Sequence, residues 1–580
     1  MRRSVPYLIL LAVVLLVYAP ALRNGLVWDD TALILRDPLI RSPLLLAEGF
    51  RHFLFLDATA ADFYRPLQRV VYTLDYALAG FTPWIFHLTS LLVHAGAAMA
   101  LYALGRRLLT QVSQLSTPNS QLPAFAVALV WAVHPIHSSA VAYASGLADP
   151  LAALLGFGGL ALLLAERRVA AGFCLGAALF AKESGVFVLL IGLGFAWEMT
   201  RHESAPGRLV RWGRMTLPAL FMAALDLGLR ATAEHLSPPP PEAIPFATRP
   251  VLALRAVAEY AGLLLAPVNL HMERDVRTSA GALQTLAGAL LLCGAAFWAW
   301  RGDRITRACL LAAFVAYLPV SNLFALNATA AEHWLYIPSA FLFLALAATG
   351  LHLPRLERRF GILAGAFAAI GFTALCCRTA WRCADWRNPA TFLRATIRDG
   401  GDSSRTLGNL ALEELQCGHL EAAVQGFRAA LARKPGQPFA MLGLSRALLQ
   451  RGDFAEARQW LERCEKLPLV HAAALVQKAE LEFKESGRDR LPLLREAAAV
   501  NPRFWPVRKR AIAQSVAQGD TATALAELRA VLADQPFRAE TWEMLGDVAK
   551  NIGNPALAQA AYAEADRRDV WRGRATVKSF

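Results

Sequence analysis

Short clusters of ionisable and hydrogen-bonding residues punctuate an otherwise apolar stretch. The first is Asn24-Gly25-Leu26-Val27-Trp28-Asp29-Asp30, directly after an apolar run. Tyr64-Arg65-Pro66-Leu67 follows, then Phe86-His87-Leu88 with His94 one helical stretch later. His134-Pro135-Ile136-His137 and Gly146-Leu147-Ala148-Asp149 bracket a further turn. Lys182-Glu183-Ser184 separates two apolar runs, and Glu332-His333-Trp334-Leu335-Tyr336 opens another. Ionisable groups in or beside a membrane are costly and are retained mainly for function. If the N-terminus lies on the inner side, all of these except His94 map to the outer leaflet or outer loops. Acids and bases gathered on one side form the polar half of a membrane active site that opens outward.

The elements that must position them are apolar helices. Of 580 residues 56% are hydrophobic and only 18% charged, with mean hydropathy +0.37. Soluble globular chains carry about 45–50% apolar and about 25% charged residues. This composition excludes a disordered protein. A bilayer span needs about 20 mostly apolar residues. Runs near 5–22, 84–104, 122–133, 148–165, 169–181, 185–199, 215–230, 281–300, 308–326, 334–353 and 361–377 meet or approach that length, predicting about eleven spans. The run 251–267 carries Arg255 and Glu259 and reads as a helix lying on the outer face.

Charge supplies the orientation. The chain has 59 Lys+Arg against 45 Asp+Glu, a net charge of +14. Arg2–Arg3, Arg106–Arg107, Arg167–Arg168, the arginines of 201–214, Arg301/Arg304/Arg307 and Arg355/Arg358/Arg359 cluster in short loops. An N-terminus in the cytoplasm and eleven spans put all of them on the cytoplasmic side. The last 200 residues then lie outside, in the periplasm or its equivalent. The positive charge is therefore read as topological, and no nucleic-acid partner is expected. Met1–Arg3, an apolar run and Ala19-Pro20-Ala21 also resemble a signal peptide, but the run is long for one, so it is kept as the first span. The eight cysteines form no CxxC pair and read as buried thiols. No zinc site is expected.

The C-terminal third repeats. Gly418, Gly452, Gly487, Gly519 and Gly553 recur at spacings of 34, 35, 32 and 34, and Pro435, Pro468, Pro502 and Pro536 at 33, 34 and 34. Amphipathic segments such as Leu420-Glu421-Ala422-Ala423 and Phe454-Ala455-Glu456-Ala457 lie between them. Glycine should end the first helix of each pair, and proline stop the second. This period resembles tetratricopeptide repeats, whose stacking builds a superhelix with a groove suited to a peptide or protein segment. The expected organisation is a membrane domain over 1–380, a connector over 381–401, a repeat domain over 402–570 and a tail over 571–580. Within the connector, Trp381–Thr391 reads as a membrane-surface helix.

The motifs WDD, YRPL, FHL…H, HPxH, AKE and LYIPS, in this order ahead of such repeats, resemble the transmembrane and tetratricopeptide-repeat (TMTC) proteins. These are relatives of the protein O-mannosyltransferases in the GT-C superfamily. The resemblance spans nearly the whole chain and implies an all-α fold: a polytopic GT-C-type membrane bundle followed by a tetratricopeptide-repeat α-solenoid. It also implies an inverting enzyme that moves a mannose-like sugar from a polyprenyl phosphate to a hydroxyl of an exported protein or glycan. Such chemistry needs a carboxylate to take the acceptor proton, and Asp29 or Asp30 matches the family's acidic pair, Asp29 being favoured. The leaving lipid phosphate needs cationic donors, for which Arg65, Lys182 and His333 are the candidates. Glu183 is read as orienting Lys182 or the acceptor, and Tyr336 as touching phosphate or sugar. His134, His137, Asp149 and Glu332 are supporting residues. No cofactor or metal is expected, because lipid-monophosphate users of this superfamily work without one, although an acidic pair is competent to hold a divalent cation. The Ala-, Arg- and Leu-rich composition points to a bacterial inner membrane.

Three departures from the family pattern stand out. The acid expected two positions after the HPxH motif is Ser139, the arginine expected after Gly146 is Leu147, and the arginine expected before the Leu-Tyr pair is replaced by His333-Trp334. They leave a competing reading open: an inactive membrane anchor that presents the repeats as a protein-binding scaffold.

Overall fold

The computed structural model describes residues 4–56, 63–112, 121–234, 244–277, 281–324, 326, 328–352 and 358–573. Arg2–Arg3, Arg355 and the end of the tail lie outside them, as do the side chains of Arg358 and Arg359. Among the described residues the chain is helical, with two isolated β-bridges in place of any sheet.

Each apolar run predicted as a span contains a helix, but the count of eleven is not met. Five helical stretches are long and apolar enough to cross a membrane: Pro83–Val112, Ala144–Leu164, Gly281–Arg301, Glu332–Gly350 and Gly361–Trp386. A sixth is available if Gln121–Val133 and Pro135–Val141, bent by 52°, act as one. Val5–Val17, Arg168–Ala181 and Gly185–Met199 are apolar but short of full spans, since their last turns give way to polar loops. The protein is an integral membrane protein with a helical core.

That core forms around the helix Pro83–Val112, against which Leu10, Val14, Trp131, Phe157 and Phe341 are buried from four other helices. The helix Arg249–Leu265 buries Leu252, Ala256, Tyr260 and Leu263, an i,i+4 stripe, against Ile136 and Leu335. Two polar ends result. Arg106–Arg107, Arg167 and Arg301 sit where helices leave the bundle, tied by Arg211–Glu166 (3.0 Å) and Arg304–Glu198 (2.8 Å). Residues 24–30, Arg65, Lys182 and Glu332 sit at the opposite helix ends.

The connector departs from expectation. The last apolar helix runs to Cys383, and a single turn, Ala384–Trp386, leads into Pro389–Arg398. Trp386 does not lie on a membrane surface. It is buried and stacked between Tyr143 (4.9 Å) and Phe392 (4.7 Å), because the connector closes directly over the loop ends.

From Ser404 onward antiparallel helix pairs follow one another to Arg568. The solenoid returns to the bundle at both ends. Arg405 pairs with Glu273 at 2.5 Å, and Asp569 accepts from Arg41 (3.2 Å) and from the Tyr76 hydroxyl (2.7 Å). Phe537 fills the space between Leu39 and Leu45. The repeats thus stand over the end that carries residues 24–30.

Candidate functional site

The acidic pair divides its labour. Asn24 begins the loop by donating its amide to the carbonyls of Cys383 (3.0 Å) and Ala142 (3.4 Å), and the Gly25 N–H donates to the Arg387 carbonyl (2.9 Å). Trp28 then takes φ +54°, a left-handed conformation costly for a bulky residue and held here by packing on Phe392. The turn sends Asp29 and Asp30 to different places. Asp30 is fully buried. One carboxylate oxygen accepts from the Ser145 N–H (2.7 Å) and hydroxyl (2.5 Å), the other from the Val27 N–H (2.8 Å). Burial pushes its pKa up to about 7 despite these hydrogen bonds, with the neighbouring Asp29 charge adding to the rise.

Asp29 is only half-buried, and its N–H donates to the Tyr143 hydroxyl at 2.9 Å. Burial raises its carboxyl above the usual range. Tyr143, Arg405 and Arg65 pull the other way. Cations from two sources, one of them the solenoid, thus favour the charged form of Asp29 against its burial.

Two of the three expected cations, Arg65 and Lys182, are each paired with an acid. Arg65 caps the start of the helix Pro66–Ala79 and meets Glu183 through Nε and Nη2, both at 2.9 Å, while its guanidinium lies 4.7 Å from the centre of the Phe63 ring. Glu183 also accepts from the Tyr64 N–H at 3.1 Å. Lys182 reaches Asp149 at 2.5 Å, so adjacent residues of opposite charge pair not with each other but with partners from two different helices. Burial lowers the Lys182 pKa and Arg65 adds to that, against Asp149 and Glu183. For Arg65, burial disfavours the charge and Glu183 more than restores it. His333 joins Lys182 and Asp149 in lining a small cleft of about 60 Å³, beside Ser184 and Trp334.

Other expected residues fall elsewhere. Tyr336 does not face this cluster: it is wholly buried, its hydroxyl bonded to His94 and its carbonyl accepting from Trp131 at 3.0 Å. Glu332 is buried between Arg274 and Arg382, 3.8 Å from each. The cause is local. Glu332–Leu335 is one tight 3₁₀ turn, which points consecutive side chains about a third of a circle apart. His134 accepts from the Ile136 N–H (3.3 Å) and its other ring nitrogen meets the Leu264 carbonyl (3.1 Å), a structural use. His137 is buried among Trp131 and Tyr336. Leu147, one of the departures, is buried with Leu33 and Ile34 and leaves no cation there.

Several residues had little signal in the sequence. Arg405 reaches residues 24–30 from the first repeat helix, its guanidinium 5.5 Å from the Trp28 ring centre. Tyr143 and Ser145 stand among small residues between two motifs. Arg69 is buried, pairs with Asp37 (2.9 Å) and donates to the carbonyls of Gly49 (2.8 Å), His52 (3.1 Å) and Phe53 (3.1 Å), so it organises the outer loop. An arginine one helical turn after Arg65 was its only trace.

Comparison with known proteins gives three results. The tetratricopeptide repeat family model matches residues 409–468 and 515–569. A protein O-mannosyl-transferase of Caenorhabditis elegans is 25% identical over 350 residues, 57% of this chain and 49% of that protein. Protein O-mannosyl-transferase TMTC1 of Mus musculus is 33% identical over 180 residues, 30% of this chain and 18% of that one. The chain thus spans about half, or less, of the length of the curated relatives it matches. Among solved structures, ArnT from Cupriavidus metallidurans bound to undecaprenyl phosphate aligns at 16% identity and a TM-score of 0.36, covering 82% of this chain and 81% of that one. The chain is a relative of the TMTC-type protein O-mannosyl-transferases, with tetratricopeptide repeats at its C-terminal end.

Proposed function

We propose that this protein is a membrane glycosyltransferase. It moves a mannose-like sugar from a polyprenyl phosphate to a hydroxyl of an exported protein or glycan at the end of the bundle that carries residues 24–30. The observation that carries the reading is the split between the two acids. Asp30 is fully buried with both carboxylate oxygens engaged in shaping the loop, whereas Asp29 is half-exposed and within the electrostatic reach of Arg65 and Arg405. Asp29 is then the base that takes the acceptor proton as its oxygen attacks the anomeric carbon. A raised carboxyl pKa makes it a better proton acceptor at neutral pH, provided it stays ionised. The lipid phosphate leaves toward Arg65 and Lys182, with His333 at the edge of that cluster. Support comes from the names of the relatives and from the one-sided cluster. The arginine clusters at the opposite helix ends favour a cytoplasmic N-terminus and repeats outside a bacterial inner membrane. The repeats then hold the acceptor or a partner protein above the site.

The test is transfer by the full chain. Asp29→Asn should abolish it while leaving membrane insertion intact, and undiminished transfer removes the base.

One observation favours a second reading, an inactive anchor presenting the repeats. Arg65 and Lys182 are already neutralised by Glu183 and Asp149, so a phosphate must compete with two carboxylates. Mass spectrometry of exported proteins and surface glycans, with and without the gene, separates the two. Unchanged glycans in both pools put the scaffold ahead.

A further inference from the structure

The first and last apolar helices of the membrane half finish side by side. After Val5–Val17 the chain makes the short turn Ala19–Arg23, and after Arg358–Cys383 it makes Ala384–Trp386. The two turns are stitched together by Asn24 on the Cys383 carbonyl (3.0 Å) and by the Gly25 N–H on the Arg387 carbonyl (2.9 Å). Between them opens a cleft of about 290 Å³, close to the lower bound of about 300 Å³ for small-ligand sites. Its walls are Leu16, Ala19, Pro20 and Ala384, and its polar side chains include Arg23 and Arg387.

Both arginines are exposed, and among the described residues neither side chain has an ion-pair, hydrogen-bond or ring partner. By contrast, Arg65, Arg69, Lys182 and Arg382 at this end of the bundle each hold a carboxylate within 4 Å. They also sit at the end opposite the arginine clusters, so topology does not account for them. The surroundings are apolar: Leu16 is 77% exposed beside the cleft, and Trp381, one turn before Ala384, is 71% exposed. Two free guanidinium groups over an apolar wall match a phosphate carried on a hydrocarbon chain: the phosphate takes paired N–H donors, and the chain lies along Leu16.

We propose that the Arg23–Arg387 cleft binds the phosphate of an anionic lipid held against the first and last apolar helices. It is a different place from the Asp29 site. The cations that act on Asp29 are Arg405 and Arg65, and neither Arg23 nor Arg387 is among them. The ligand has a mechanical consequence. Arg23 leads directly into residues 24–30, and the Arg387 carbonyl holds Gly25. A phosphate joining the two side chains therefore clamps the root of the loop that presents Asp29.

Two lipids carry this chemistry, a glycerophospholipid with a negative headgroup and a polyprenyl phosphate. Native mass spectrometry of the full chain in neutral detergent tells them apart. Phosphatidylglycerol, a polyprenyl phosphate, phosphatidylcholine and inorganic phosphate are offered separately. The wild type should retain one or both anionic lipids over phosphatidylcholine by about tenfold, and the preferred one names the source. Inorganic phosphate, lacking a chain, should not be retained. Arg23→Gln with Arg387→Gln should lose the preference, and the single variants should each lose part of it. Arg23→Lys with Arg387→Lys should keep most of it, and Arg36→Gln, at an exposed arginine of the same end that lies outside the cleft, all of it. The proposal is overturned by equal retention in wild type and the double Gln variant, by phosphatidylcholine bound as well as the better retained of the two anionic lipids, or by the same loss of lipid in Arg36→Gln alone.

Discussion

Glycine recurs for different reasons in the two halves of the chain. In the membrane bundle it lets helices touch. A Cβ on Gly176 would sit 2.1 Å from Met222 Cβ, one on Gly172 2.4 Å from Pro218 Cβ, and one on Gly288 1.9 Å from the Leu254 carbonyl oxygen. In the solenoid Gly443 and Gly546 also admit close contacts, but the glycines that recur with the repeat let helices stop. Gly418, Gly452, Gly487, Gly519 and Gly553 all have positive φ, from +67° to +97°, and a Cβ there would meet nothing within 4 Å. Charge follows the same division. The repeats carry exposed pairs such as Arg428–Glu456, whereas Arg69–Asp37 in the membrane half is 2% and 4% exposed. One half is held by close approach and buried polar pairing, the other by a local pattern repeated. The proposed chemistry sits where they meet.

The largest test of that meeting point is Asp29→Asn against Asp30→Asn. Loss of a general base is worth about 10²–10⁴-fold in rate. Asp29→Asn should show it in a transfer assay with no change in thermal unfolding. Asp30→Asn should retain measurable transfer and instead loosen the loop, seen as faster hydrogen exchange at Val27 and Ser145. If the two variants exchange these behaviours, the roles are reversed.

Buried and exposed pairs come next. Asp37→Ala strands the Arg69 guanidinium and should cost about 3–5 kcal/mol. Glu456→Ala removes a surface partner and should cost about 1 kcal/mol or less. Thermal unfolding in detergent, followed by tryptophan fluorescence, reads both. Equal costs would erase the contrast between the halves.

The glycines sharpen it further. Gly176→Ala should cost about 1–3 kcal/mol by overpacking, with Gly176→Asn worse. Gly452→Ala should cost about 1–2 kcal/mol for its left-handed backbone, but Gly452→Asn should recover part of this because asparagine tolerates that conformation. A recovery at 176 rather than 452 would contradict the assignment.

The smallest effects are in pH. Asp30 has its folded pKa raised, so its contribution to stability is complete below about pH 4, where both states are protonated, and is lost as pH rises through about 7. Asp30→Asn should flatten that part of the stability profile. Asp29 must be ionised to act, and Arg405 helps keep it so. Arg405→Gln should therefore move the acidic limb of the rate profile to higher pH. An unmoved limb would mean that the solenoid does not reach the site electrostatically.

Much of this architecture is readable along the chain because its causes are local. The helix-ending glycines obey a spacing that needs no knowledge of neighbours, and each apolar run does contain a helix. The number of full spans was not readable, since a window of apolar residues does not show where a helix breaks. Val5–Val17 stops well before residue 22 for that reason. Tyr336 follows His333 by three residues in the same motif, but a single tight turn sends it into the core. Trp386 likewise reads as an interfacial aromatic until Tyr143 and Phe392 close on it from distant parts of the chain.

The sequence by itself determined the helical repeat, the apolar helices and the grouping of acids and bases in short clusters between them, because these follow from hydrophobic period, backbone freedom and charge counted along the chain. Only the tertiary structure decided which acid is free. Asp29 and Asp30 are chemically identical neighbours, and what separates them is Tyr143 with Ser145, Arg65 and Arg405, brought from three distant stretches to one loop.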